Sequence, residues 1–111
     1  FTGRADIVRL LLESSAAVNQ AKDDATTPLY IACEKGHLEI SRLLLEAGAA
    51  INQADATGGT PLYAACRDGQ LECAQLLLEA SASTNQAKKN GTTPLFIACQ
   101  NGRLECARLL L

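Results

Sequence analysis

Cys33 and His37 stand four positions apart in the stretch ACEKGH. On one continuous helix that spacing stacks a thiol beside an imidazole, which is how a sulfur nucleophile is activated or half of a metal site is built. Five cysteines raise two further chemistries, disulfides and zinc. Glu39, Glu72 and Glu105 raise a third, acid–base work by paired carboxylates. Which of these holds depends on the elements that carry the residues.

The chain has 111 residues, enough for one domain with a sizeable core. Ten basic and twelve acidic side chains leave a net charge of −2, so no global field draws in nucleic acid or an anionic membrane. The apolar share is 48 %, mostly Ala and Leu, a composition suited to closely packed helices. No apolar run approaches the ~18–20 residues that cross a bilayer. No charged-then-apolar leader opens the chain, so secretion is not indicated. The sequence lacks Met and begins at Phe1, and is expected to be a piece of something longer, or a processed or engineered product.

A repeat organises the chain. Thr27-Pro28-Leu29, Thr60-Pro61-Leu62 and Thr93-Pro94-Leu95 are 33 residues apart. The same step joins Gly3, Gly36, Gly69 and Gly102, then Asn19, Asn52 and Asn85, then Cys33, Cys66 and Cys99. Within each period a Thr N-cap with Pro at the first helical position opens a short helix, as in PLYIACEK, which stops at Gly36. A second helix, HLEISRLLLEA, is expected to bury Leu38, Leu43, Leu44 and Leu45 and to end at Gly48. Such helices fall below the ~12–15 residues at which an isolated helix is marginal in water, so stacking on neighbouring copies must stabilise them.

The motifs TPLYIAC, TPLYAAC and TPLFIAC, followed by GHLEI, GQLEC and GRLEC and then LLLEAGAAINQAD, resemble the ankyrin-repeat family over the whole chain. The resemblance implies an all-α repeat solenoid of stacked helix-turn-helix pairs linked by β-hairpin-like fingers. It divides the single domain 1–111 into a partial repeat 1–21, repeats 22–54 and 55–87, and a partial repeat 88–111 that stops inside its second helix. Neither end carries a polar capping repeat. Exposed apolar ends are therefore expected, through excision from a longer array or, alternatively, end-to-end self-association.

Three departures from the family pattern stand out. Ala25 occupies the finger position held by Gly58 and Gly91, where positive φ is needed, at a cost of about 1–2 kcal/mol. Ser15 and Ser81 occupy the column of Gly48, a left-handed helix end. The histidine of the family's TPLH is Tyr30, Tyr63 and Phe96 here.

The repeat also judges the chemistry. Cys33 ends one helix and His37 follows Gly36, and the copies of His37 are Arg4, Gln70 and Arg103, so no activated pair or metal half-site is expected. Same-column cysteines sit on helices roughly 8–10 Å apart, beyond the ~7 Å between Cα atoms that a disulfide allows. Cys73 and Cys106 fall in the core column of Ile7 and Ile40. All five cysteines are thus expected to be buried, reduced hydrophobes, which points to an intracellular, cytoplasmic setting. Glu39, Glu72 and Glu105 sit in the first turn of each second helix, where a carboxylate favours the dipole. No enzyme activity, cofactor or metal is expected.

What remains is binding. The resemblance implies a non-enzymatic protein–protein interaction module that meets a partner through finger tips and the concave first-helix face. The tips are Asp23, Asp24 and Thr26, then Ala56, Thr57 and Gly59, then Lys89, Asn90 and Thr92. The first-helix ends are Glu34 and Lys35, Arg67 and Asp68, Gln100 and Asn101. Asp23 and Asp24 make the first finger acidic, and Lys88 with Lys89 makes the last basic. Tyr30, Tyr63 and Phe96 form an aromatic column, either an anchor for the partner or packing for the finger. Asn19 and Asn52 are expected to hydrogen-bond backbone and shape the finger, while the resemblance also implies them as sites of asparagine hydroxylation. The alternative roles are a structural spacer in a longer array, or the ankyrin region of a multidomain enzyme or channel.

Overall fold

The computed structural model describes residues 18–111. The helix expected at the start of the chain, with Gly3, Arg4, Ile7 and Ser15, lies outside them. The described residues form six helices: α1 (Pro28–Lys35), α2 (Leu38–Glu46), α3 (Pro61–Arg67), α4 (Leu71–Glu79), α5 (Pro94–Gln100) and α6 (Leu104–Leu110). The odd-numbered helices pack side by side as one layer and the even-numbered ones as a second, each pair joined by a tight turn.

Local chemistry sets these boundaries. Thr27, Thr60 and Thr93 cap α1, α3 and α5, each hydroxyl accepting from the backbone N–H three residues on at 3.2 Å. Pro28, Pro61 and Pro94 follow, where no amide is missed. The turns into the even helices need a left-handed residue, and Gly36, Gly69 and Gly102 supply φ of 76°, 73° and 68°. His37 N–H then reaches back to the Ala32 carbonyl at 2.9 Å, closing the α1 end.

Every helix is seven to nine residues long, so its stability comes from its neighbours. Leu29, Leu44, Leu62 and Leu77 are 1 % exposed or less and interlock successive pairs, each burial stabilising by about 1.5–3 kcal/mol. The α2 expectation needs correction. Its buried residues are Ser41 and Leu44, whereas Leu38, Leu43 and Leu45 are only partly covered. Ser41 at 0 % exposure was hidden in the sequence because a polar residue breaks the apolar pattern, yet its hydroxyl donates to the His37 carbonyl at 2.9 Å and carries no burial penalty.

Candidate protein-interaction face

The fingers are built by backbone bonds across a three-residue tip. Lys22 N–H donates to the Thr26 carbonyl, Asp55 N–H to Gly59 and Lys88 N–H to Thr92, at 2.8–2.9 Å. One bond then joins each finger to the next: Ala56 N–H to the Asp24 carbonyl at 2.9 Å, and Lys89 N–H to the Thr57 carbonyl at 2.8 Å. The ladder is too short to make a strand among the described residues, so the fingers are linked hairpin turns.

Side chains fix each tip differently. Asp24 accepts from the Thr26 backbone and hydroxyl at 3.1 and 2.7 Å, which hold its carboxyl below the usual range. Asn90 binds Thr92 in the same way. In the middle finger the acceptor moves two residues back: Asp55 accepts from Thr57 N–H and hydroxyl and from Gly59 N–H at 2.7–2.9 Å. Burial alone would raise the Asp55 carboxyl, but these bonds and the nearby Tyr30 phenol outweigh it and lower it. Asp55 escaped the sequence reading because its column otherwise holds Lys22 and Lys88.

The structure sorts the expected contact residues into two groups. Asp23, Asp24, Ala56, Thr57, Lys89 and Asn90 are exposed at the tips, and Lys35, Gln100 and Asn101 at the helix ends. Thr92 is half-buried. Thr26 and Gly59 are buried beneath their turns, so a partner cannot reach them as expected. Glu34, Arg67 and Asp68 are partly covered, because Arg67 binds both carboxylates. The Arg67 guanidinium lies 2.6 Å from the Glu34 carboxylate of the preceding repeat and grips Asp68 at 2.9 and 3.1 Å.

The aromatic column divides likewise. Tyr30 and Tyr63 are each 4 % exposed, whereas Phe96 is 55 % exposed. A residue from the next finger covers each tyrosine: Asp55 lies beside the Tyr30 phenol, and the Lys88 ammonium sits 5.0 Å above the Tyr63 ring centroid. Burial, then Asp55, push the Tyr30 phenol up to about 12. Of the two roles expected for the column, packing therefore holds at Tyr30 and Tyr63, and Phe96 alone is open. Lys88 spends its charge on Tyr63, which leaves Lys89 as the exposed cation of that tip.

His37 precedes α2 with no side-chain cap, as a residue after a glycine turn. Its copies bind backward between repeats: Gln70 Nε2 donates to the Glu34 carbonyl at 3.1 Å and Arg103 Nε to the Arg67 carbonyl at 3.1 Å. Asn101 Nδ2 shares that Arg67 carbonyl at 3.0 Å. These donors satisfy orphan carbonyls at the ends of α1 and α3. Asn19 and Asn52 likewise bridge repeats, accepting from Ala50 N–H at 2.8 Å and Ser83 N–H at 2.9 Å. The persistence of Asn signalled a backbone bond, but the 31-residue reach lies outside any local pattern.

The cysteines need one correction. Cys33, Cys66, Cys73 and Cys106 are buried and free, but Cys99 is exposed. Among the described residues no group of three or more His, Cys, Asp or Glu could hold a metal ion.

A family model of three ankyrin repeats matches residues 1–55 and 48–111, and the chain belongs to the ankyrin-repeat family. Ankyrin repeats are generally protein-interaction modules, and the family is typically non-enzymatic. A search of curated proteins found no match. No described helix is long and apolar enough to cross a membrane.

Proposed function

We propose that this chain is a non-enzymatic interaction module that binds an extended segment of a protein partner along its finger tips. One observation carries the reading. The tip residues Asp23, Asp24, Ala56, Thr57, Lys89 and Asn90 form one exposed line, while Thr27, Leu29, Tyr30, Cys33 and their copies Thr60, Leu62, Tyr63 and Cys66 behind it are buried. The frame fixes the spacing of the fingers through the Ala56–Asp24 and Lys89–Thr57 bonds, and the tips are free to differ. Two carboxylates at one end and the Lys89 ammonium at the other give the line a direction, so a bound segment sets a basic end against Asp23 and Asp24 and an acidic end against Lys89.

The test is a displayed random-peptide library selected on this chain and on a tip variant, Asp23→Lys, Asp24→Lys and Lys89→Glu. The expected result is enriched peptides with a basic end and an acidic end, which the variant rejects. Peptides that bind both proteins equally would contradict the reading. The interlocking of Glu34, Arg67 and Asp68 favours a second reading, a spacer whose polar residues only join repeats. A selection with no enrichment would support that spacer role.

A further inference from the structure

The two cysteine columns, treated separately in the sequence, meet diagonally across the repeat boundary. Cys33 lies in the last turn of α1 and Cys73 in α4, one repeat on. The Cys33 sulfur is 3.5 Å from Ser41 Oγ, and the Cys73 sulfur is 3.9 Å from the same oxygen. All three residues are at most 1 % exposed. The neighbouring Cys73 sulfur and burial hold the Cys33 thiol well above the usual range. The same diagonal brings Cys66 and Cys106 together one repeat further, where burial and Cys106 push Cys66 up to about 12. Ser41 is replaced there by Ala74, so no hydroxyl stands between those sulfurs.

We propose that Cys33 and Cys73 are a latent disulfide that staples one repeat to the next when a low-molecular-weight disulfide acts as oxidant. Both sulfurs lie against the same buried Ser41 hydroxyl, so an adduct on either one finds no room when the repeats close. The chemistry runs in two exchanges. As the repeat interface opens, the thiolate of one cysteine attacks the small disulfide, forming a mixed disulfide and expelling one small thiolate. The second cysteine, as thiolate, then attacks the first cysteine's sulfur and expels the other small thiolate. The protein loses two thiol protons and two electrons, and the oxidant is reduced to two thiols. Opening at the boundary is the step a repeat stack permits, because each repeat is held only by its neighbours.

The test uses the Cys66→Ala, Cys99→Ser protein, which removes the second sulfur pair and the exposed thiol, treated with a dipyridyl disulfide. The expected product has lost two hydrogens, yields a non-reduced peptide joining Cys33 to Cys73, and unfolds at higher temperature than the reduced form. A reductant should restore the original midpoint. Pairing of Cys33 with Cys73 should exceed pairing of Cys33 with Cys106 by about tenfold, since only the first pair flanks the Ser41 hydroxyl. Two stable mixed adducts on Cys33 and Cys73, scrambled pairing, or a joined form less stable than the reduced protein would each overturn the proposal. Cys73→Ser, checked for helix content by circular dichroism, should abolish the joined peptide, and a persisting joined peptide would also overturn it.

Discussion

Ala25 holds φ at 67° in the finger column where Gly58 and Gly91 hold 90° and 88°. A Cβ in that region costs about 1–2 kcal/mol, whereas glycine's freer unfolded chain returns about 0.4–1 kcal/mol. Ala25→Gly is therefore expected to stabilise by about 0.5–1 kcal/mol in urea unfolding. Tyr30 tests a different force. Its phenol is raised in the folded state by burial and by Asp55, so the stability it contributes is complete below its unfolded value near 10. That stability falls as pH rises through about 12. Tyr30→Phe should lessen the loss between about pH 9 and pH 11.5, read as the change in denaturation midpoint. An equal loss in both proteins would show that the phenol bears no such burden.

At the scale of the element, the helices and their ends were legible. Thr27-Pro28 and Gly36 are local signals, and they set the ends of α1 as expected. The strained positions were legible for the same reason: Ala25 and Ser81 interrupt glycine columns, and both have positive φ. What the sequence did not show was which tertiary neighbour each column meets. The sequence left Tyr30 and Tyr63 open between surface anchor and packing, and Asp55 and Lys88 of the next fingers, which cover them, decide it. Cys33 and Cys73 meet across an offset that no single column reveals. The finger also predicts a contrast with Ala25. A Cβ at Gly58 would lie 3.0 Å from the Lys89 nitrogen and 3.1 Å from Lys88 Cα, in backbone that is itself bonded to the neighbouring finger. Gly58→Ala should cost about 1–2 kcal/mol, opposite in sign to Ala25→Gly at the equivalent position. Similar urea midpoints for Gly58→Ala and the parent would contradict this account of the turn.

At the scale of the whole molecule, each repeat is held by nearest-neighbour contacts alone, and those contacts consume much of the polar surface. Arg67 binds Glu34, Gln70 and Arg103 donate to preceding helix ends, and Asn19 and Asn52 reach forward to Ala50 and Ser83. The large apolar residues left exposed among the described ones are Phe96, Leu104 and Leu111, all in the last repeat. The proposed recognition by the tips rests on their opposed charges, Asp23 and Asp24 at one end and Lys89 at the other. The most direct measurement is the affinity of one selected peptide, by calorimetric titration, for the parent protein, for Lys89→Glu and for the peptide's own charge-reversed form. Lys89→Glu should weaken binding about tenfold, and reversing the peptide's acidic end should restore most of that loss. Affinity unchanged by Lys89→Glu, in a variant that folds like the parent, would contradict recognition along the tips.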